Sequence, residues 1–200
     1  IAKEYPKLSI VVGYPKFDKS KLYNAASVIY QKKIRVTYFK NSLPNYGVFD
    51  EKRYFSEGNQ SNTFIIGAEK IGIIICEDFW VDEPIEKLIR EKVGIILCIN
   101  ASPFELNKQK RRIENARAKL SGNKIKLIYL NALGGQDDLL FDGGSFIFDG
   151  YSNVITEFPQ FKEVSDVIDL SKKSLLIPSA HNEISILLDG LILSLHDYLR

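Results

Sequence analysis

Ile71–Trp80, with the sequence IGIIICEDFW, is the stretch that decides the fold. It begins as a β-branched apolar run that ends at Cys76, and two carboxylates and two aromatic residues follow. A short run of this kind predicts a strand buried on both faces of a sheet. Cys76 is therefore expected at the carboxyl end of a core strand, where open α/β sheets tend to carry their chemistry.

The remaining elements alternate between strands and helices in the middle of the chain and pair as hairpins elsewhere. The predicted strands are Leu8–Gly13, Tyr23–Gln31, Ile34–Tyr38, Thr63–Gly67, Lys70–Cys76, Gly94–Asn100, Lys124–Asn131, Ser145–Asp149 and Val154–Glu157. Helices are predicted over Glu83–Lys92 and Asn107–Leu120 and from an Asn182 cap onward, and loops over Lys16–Lys21, Lys40–Asn62 and Gly134–Gly144. This order favours a layered α/β sandwich with mixed sheets over a purely parallel doubly wound fold.

Composition excludes several classes of function. A formal charge of +2 without a basic block gives no support for binding nucleic acid. The apolar stretch Ile184–Leu195 is too short and too interrupted to span a membrane. Cys76 and Cys98 both lie at or near the ends of predicted core strands, which favours free thiols and a reducing, cytoplasmic location. Cys98 by itself is expected to be a small buried hydrophobe.

Lys40, Glu51 and Cys76 form the candidate catalytic set. A cysteine nucleophile needs a base to take its proton and a cation to stabilise the oxyanion that forms after attack. Lysine supplies such a cation, and a neighbouring carboxylate keeps it charged and in position. A Cys-His pair is not expected, because His181 and His196 both lie in the tail or the terminal helix.

Four motifs in order resemble the nitrilase superfamily. They are KNSLPNYGVFDEKRYF from Lys40, IIICEDFW from Ile73, NASPF from Asn100 and NALGGQDDLLFDGGS from Asn131. Within that superfamily they are most similar to the glutaminase domains of glutamine-dependent NAD⁺ synthetases. The resemblance implies an α-β-β-α four-layer sandwich and a Glu-Lys-Cys triad that hydrolyses the side-chain amide of glutamine.

The same resemblance implies roles for single residues. Cys76 matches the nucleophile, Lys40 the triad lysine, and Glu51 the second carboxylate found near such lysines. The positions that line the glutamine pocket in relatives correspond to Tyr46, Glu77, Trp80, Ser102 and Lys108. Lys108 is a candidate for the substrate α-carboxylate and Arg112 is the alternative, although both are most simply residues of a solvated helix face. Asp137, Asp138 and Asp142 are expected to cap backbone amides in a turn, and no metal is predicted.

The resemblance also implies a domain organisation. Residues 1–160 are expected to form the glutaminase domain, with a nitrilase strand-helix unit missing before them. Residues 161–182 are expected to be a linker and 183–200 the first helix of an ATP-dependent synthetase domain that makes NAD⁺ from deamido-NAD⁺. No cofactor is expected in the glutaminase portion, and ATP and Mg²⁺ belong to the absent domain. The expected partners are glutamine, the synthetase domain of the same chain and further copies in a homo-oligomer.

Two other interpretations stay open at this point. A stand-alone nitrilase-superfamily amidase or carbamoylase would use the same nucleophile on another substrate. A non-enzymatic structural module is the third hypothesis, because the glutamate that serves as triad base in this family is expected before residue 1 and Glu4 lacks its setting.

We therefore predict that purified residues 1–200 hydrolyse little or no glutamine, because general-base catalysis would be lost. Measurement of ammonia release from glutamine tests this expectation. Robust hydrolysis by the purified chain would contradict it.

Overall fold

The structure is a computed structural model that describes residues 3–151, 153–171 and 182–199. The chain divides into two compact units, Ile1–Ile99 and Asn100–Arg200.

The first unit contains two sheets, a helix and two short 3₁₀ turns. Its first sheet is antiparallel with strand order β1-β2-β3. In the second sheet, the central strand β5 pairs antiparallel with β4 and parallel with β6. The strands are β1 (Ile10–Asp18), β2 (Lys21–Tyr30), β3 (Lys33–Phe39), β4 (Thr63–Ile66), β5 (Glu69–Ile75) and β6 (Ile95–Asn100). Helix α1 spans Asp82–Arg90, and the 3₁₀ turns span Glu51–Arg53 and Cys76–Phe79.

Strand β5 is buried on both faces, as its apolar run predicts. Ile73 and Ile74 point to opposite faces and are 0% and 1% exposed. Gly72 lies on the face covered by α1, where a Cβ atom on this residue would come within 2.6 Å of Leu88 Cδ2. The absence of a side chain at Gly72 therefore allows α1 to pack directly on the strand that leads to Cys76.

The predicted loop Lys16–Lys21 is wrong, because β1 continues through Asp18 and turns only at Lys19 and Ser20. Both turn residues have positive φ, 44° and 68°, as a two-residue hairpin connection requires. Pro15 lies within β1 and pairs with Asn24 of β2. Proline is tolerated there because β1 is an edge strand and its missing N–H is not needed by another neighbour.

The second unit combines a three-stranded antiparallel arrangement, β11-β10-β7, with a separate two-stranded hairpin. Its strands are β7 (Lys126–Asn131), β8 (Leu133–Gln136), β9 (Leu139–Asp142), β10 (Phe146–Phe148) and β11 (Val154–Glu157). Its helices are α2 (Lys108–Leu120) and α3 (Glu183–Tyr198). Tyr129 of β7 and Phe146 of β10 are paired in register, and their rings stack at 4.8 Å in the core of this unit.

The predicted loop Gly134–Gly144 is also wrong, since most of it forms the hairpin β8-β9. Gly134 and Gly135 belong to β8 and pair with Phe141 and Leu140 of β9. Their small size serves packing against α3, because a Cβ on Gly135 would lie 3.3 Å from the backbone of Ser194. The backbone N–H of Gly135 also donates to Asp197 of α3 at 2.8 Å.

The terminal helix begins where the sequence predicts. The Asn182 side chain accepts a hydrogen bond from Ser185 N at 2.7 Å and caps α3. Of the predicted linker 161–182, residues 161–171 form no regular element and 172–181 lie outside the described residues, as does His181. None of the helices in the described ranges is long and apolar enough to cross a membrane.

The close packing of Leu88 on Gly72 predicts how a larger residue at position 72 would change the stability of the protein. Gly72→Ala should lower the free energy of unfolding by about 1–3 kcal/mol, because the added methyl group overpacks a filled core. Urea unfolding measures the loss. The double variant Gly72→Ala with Leu88→Ala is the control: truncating Leu88 makes room for the methyl group, so its loss should be smaller than the sum of the two single losses. Additive losses would contradict the packing argument.

Candidate active site

Cys76 occupies a strained backbone position directly after β5. It opens a 3₁₀ turn, its φ is +46°, and its side chain is partly exposed. A non-glycine residue in the left-handed region costs free energy and persists only where the surroundings hold it. The strand therefore ends in a sharp turn that presents a thiol at the carboxyl edge of the sheet.

Lys40 follows β3 and places an ammonium group in the interior. Its side chain is 1% exposed, and Nζ donates to both carboxylate oxygens of Glu51 at 2.8 and 2.7 Å. Asn24 of β2 donates from Nδ2 to Glu51 Oε1 at 3.4 Å. The structure thus brings two of the three predicted catalytic residues into a direct, nearly buried ion pair.

The backbone around Lys40 is fixed on both sides. Its N–H donates to Asn24 O at 2.8 Å, and its carbonyl accepts from Gly58 N at 2.8 Å. The second bond closes the loop that contains Glu51. A Cβ on Gly58 would lie 2.3 Å from the carbonyl oxygen of Phe39, so this closure requires glycine.

Asp78 joins the backbone next to Lys40 to the backbone next to Cys76, and the sequence analysis missed it. Oδ1 accepts from Asn41 N at 3.1 Å and Ser42 N at 2.8 Å, while Oδ2 accepts from Ile75 N at 3.0 Å and the Tyr38 hydroxyl at 2.8 Å. The sequence does contain a signal for this role. Asp78 is the third residue of the turn, a position from which a carboxylate can accept a hydrogen bond from the N–H of the residue that precedes the turn.

Burial shapes the electrostatics of this carboxylate. Desolvation raises the pKa of Asp78, although its hydrogen bonds and the charge of Lys40 act in the opposite direction. Desolvation, and then the charge of Asp78, raise the pKa of the Tyr38 hydroxyl far above its usual value. Tyr38 therefore stays a neutral donor to Asp78 at any ordinary pH.

The predicted glutamine-binding residues of the first unit lie around the same turn. The Tyr46 hydroxyl donates toward both carboxylate oxygens of Glu77, at 2.9 Å each. Tyr46 is 60% exposed, so this pair lies at the surface. Trp80 is partly exposed and packs edge-to-face on Phe79, with ring centroids 5.4 Å apart. A carboxylate and two aromatic rings are thus available beside Cys76.

Arg112 lies in a buried network of the second unit. Its terminal nitrogens bond both oxygens of Asp142 at 2.8 and 2.9 Å, and Nη2 also donates to Ser102 O at 3.0 Å and Oγ at 3.1 Å. Both charged side chains are fully buried. Asn131 joins the network by accepting from Ser102 N at 2.9 Å.

This network corrects two expectations. Arg112 is not part of a solvated helix face, because it turns inward to Asp142. Asp142 is not a turn residue that caps backbone amides, because its carboxylate accepts from the side chains of Arg112, Asn131 and Gln160.

Lys108 differs from Arg112 in exposure. Its side chain is 15% exposed and Nζ donates to Glu105 at 2.6 Å. Hydrogen bonds from Lys108 and Arg111 lower the pKa of Glu105. A lysine with a partly exposed amine can exchange a surface carboxylate for a ligand carboxylate, whereas Arg112 would have to abandon a buried pair. The geometry therefore favours Lys108 over Arg112 as a carboxylate ligand.

Cys98 is fully buried in β6, as expected for a small hydrophobe. Within the described ranges, no group of three or more His, Cys, Asp or Glu side chains could hold a metal ion.

Comparison with known proteins places the chain in a family. The carbon-nitrogen hydrolase model matches residues 4–172, so the chain belongs to the carbon-nitrogen hydrolase family. A solved carbon-nitrogen hydrolase from Helicobacter pylori, 21% identical, superposes with a TM-score of 0.71 over 79% of this chain and 60% of its own. The predicted nitrilase-superfamily fold is thereby confirmed.

Several relatives are more similar in sequence than the Helicobacter pylori protein. The glutamine-dependent NAD(+) synthetase of Acinetobacter baylyi is 40% identical over 162 residues, which are 80% of this chain and 30% of the relative. That of Thermotoga maritima is 38% identical, over 82% of this chain and 28% of its own. The structure of the Acinetobacter baumannii enzyme, 32% identical, superposes with a TM-score of 0.91 over 98% of this chain and 39% of that one. The chain thus spans about 30% of the length of the curated relatives it matches.

The buried ion pair of the second unit makes a further prediction. Asp142→Asn should lower the free energy of unfolding by about 3–5 kcal/mol, because it leaves the Arg112 charge buried without its partner. Denaturant unfolding measures the change.

The control is a pair of similar type at the surface. Arg90 and Glu86 are 3.4 Å apart with side chains 62% and 59% exposed, so Glu86→Gln should cost less than about 1 kcal/mol. Equal losses of unfolding free energy in the two variants would show that burial does not make the Arg112–Asp142 pair more important for stability than a surface pair.

Proposed function

We propose that Cys76 of this chain is the nucleophile with which the full natural protein hydrolyses the side-chain amide of glutamine. We further propose that the ammonia feeds an ATP-dependent synthetase in the same protein, which converts deamido-NAD⁺ to NAD⁺. The observation that carries the proposal is the position of Cys76: its backbone is strained, and Asp78 ties its turn to the segment that carries the buried Lys40–Glu51 pair.

The residues fit thiol acyl-transfer chemistry. The Cys76 thiol gives up its proton as its sulfur attacks the amide carbonyl carbon, and the nitrogen takes up a proton as the C–N bond breaks, so that ammonia leaves and a glutamyl thioester remains. Water attacks the thioester carbonyl, which frees glutamate and restores the thiol. Both steps place negative charge on the carbonyl oxygen, and the Lys40 ammonium and the Glu77 backbone N–H are the donors we propose for it.

Glu51 keeps the cation in place for both steps. An ammonium with almost no exposure would otherwise lose its hydration without replacement. Two short hydrogen bonds to Glu51 supply that replacement, so the ammonium group is in position before the substrate arrives.

The side chains around the turn suit glutamine. The Glu77 carboxylate, oriented by Tyr46, is complementary to the α-ammonium group, and Trp80 offers an apolar wall for the methylene groups. Lys108 remains our candidate for the α-carboxylate, with Ser102 as a further pocket residue. Arg112 is better suited to holding Ser102 in place.

The link to NAD⁺ rests on the relatives. Those quoted above carry the name glutamine-dependent NAD⁺ synthetase and extend well beyond the part that this chain matches. ATP and Mg²⁺ would act in that other part, for which α3 is the proposed first helix.

The test uses the full natural protein and two nitrogen sources. Cys76→Ala should abolish NAD⁺ formation from deamido-NAD⁺ and ATP when glutamine is supplied, and should leave formation with free ammonium intact. Cys98→Ala is the matched control, because it removes the chain's other thiol from a buried site and should keep both activities.

Two results would contradict the proposal. Glutamine-dependent activity that survives in Cys76→Ala would remove Cys76 as nucleophile. Hydrolysis of simple aliphatic amides without any NAD⁺ formation would instead favour the stand-alone amidase.

A further inference from the structure

We propose that Asp78 is the positioning residue that sets the distance between the Lys40 ammonium and the Cys76 thiol. The inference rests on the proposed function, in which these two groups act on the same carbonyl. Asp78 itself touches neither the substrate nor the reacting atoms.

The backbone contacts of Asp78 reach both segments. Oδ1 accepts from the N–H groups of Asn41 and Ser42, the two residues directly after Lys40. Oδ2 accepts from the N–H of Ile75, the residue directly before Cys76. One rigid, planar group is therefore bonded within one or two residues of each catalytic side chain.

Only a carboxylate can make this bridge. The three backbone partners are N–H donors, so each oxygen of the bridging group must accept. An amide of the same shape has one oxygen and one NH₂ group, and in either orientation its NH₂ faces a backbone donor. Asparagine at this position could hold one segment but not both.

The same contacts argue against a role in proton transfer. Four donors occupy the lone-pair positions of a carboxylate that is 0% exposed, so no acceptor site is left for the thiol. The carboxylate is fully used in holding backbone, which is what positioning requires.

Tyr38 provides an internal comparison. Its hydroxyl donates to Oδ2 from β3, two residues before Lys40, but this side-chain bond is not one of the three backbone bonds that form the bridge. Tyr38→Phe removes one hydrogen bond of Asp78 and leaves all three backbone bonds. The variant therefore shows the effect of losing a buried hydrogen bond to Asp78 while the bridge stays intact.

The experiment compares Asp78→Asn with Tyr38→Phe in the full natural protein. Glutamine-dependent kcat should fall about 100-fold in Asp78→Asn, because a misplacement on the order of 1 Å costs that much. Ammonium-dependent NAD⁺ formation should stay unchanged. Tyr38→Phe should keep a glutamine-dependent kcat close to that of the unsubstituted protein.

A second readout separates positioning from simple loss of structure. Alkylation of Cys76 by iodoacetamide is followed against pH on its own peptide by mass spectrometry. Moving the Lys40 ammonium away should shift the midpoint of this profile upward by about one pH unit or more in Asp78→Asn. A merely destabilised fold would lower the amount of reactive protein without a shift in the profile.

Each outcome decides the matter. An unshifted alkylation profile in Asp78→Asn, or an equal loss of kcat in Tyr38→Phe, overturns the proposal. If Asp78→Asn does not fold, Asp78→Ser replaces it, and failure of both to fold overturns the proposal too, since Asp78 would then hold the whole unit together. Retained activity in Cys76→Ala is a different result, which removes the proposed function itself.

Discussion

Burial of the Lys40 ammonium is the constraint on which the rest of the first unit depends. Removing a charge of this size from water costs several kcal/mol, and an ion pair offsets that cost only when its geometry is close to ideal. Glu51 meets the requirement with two short hydrogen bonds, but it stands eleven residues further along the chain, at the start of a short 3₁₀ turn in the long loop after β3. The long loop after β3 therefore has to be held in one conformation, and several of its residues serve to fix that conformation.

The loop is held at its ends and from inside. Gly58 N closes it on the carbonyl of Lys40, Ser56 N bonds Leu22 O of β2, and Asn24 of the same strand reaches Glu51. These bonds join the loop to a sheet whose register is fixed by hairpins. The conformational entropy of the loop is therefore lost when the protein folds and not when a ligand binds. The Lys40 ammonium and the Glu51 carboxylate are therefore held in one arrangement by the fold itself.

Much of this arrangement could be predicted from the sequence, because local pattern determines it. The strand that leads to Cys76, both arms of the Tyr23–Tyr38 hairpin and the Asn182 cap follow from periodicity and capping residues. The failures have one cause. Pro15 and Gly135 break a strand pattern locally, but an edge position and the close approach of a helix make each acceptable in three dimensions. Burial of Arg112 and Asp142 was missed for the same reason, since each looks like a surface charge until its partner is known.

The buried carboxylates of the two units differ in the kind of hydrogen-bond donor that they accept from. Among the described residues, the donors to Asp142 are all side chains, so its network can adjust through rotamers. Asp78 accepts mainly from backbone N–H groups, which cannot adjust without moving the chain. A left-handed φ at Cys76 needs that kind of support, because strain persists only where the surrounding backbone leaves no alternative. Three of the four hydrogen bonds that Asp78 accepts thus come from backbone N–H groups, and they hold in place the turn that opens at Cys76.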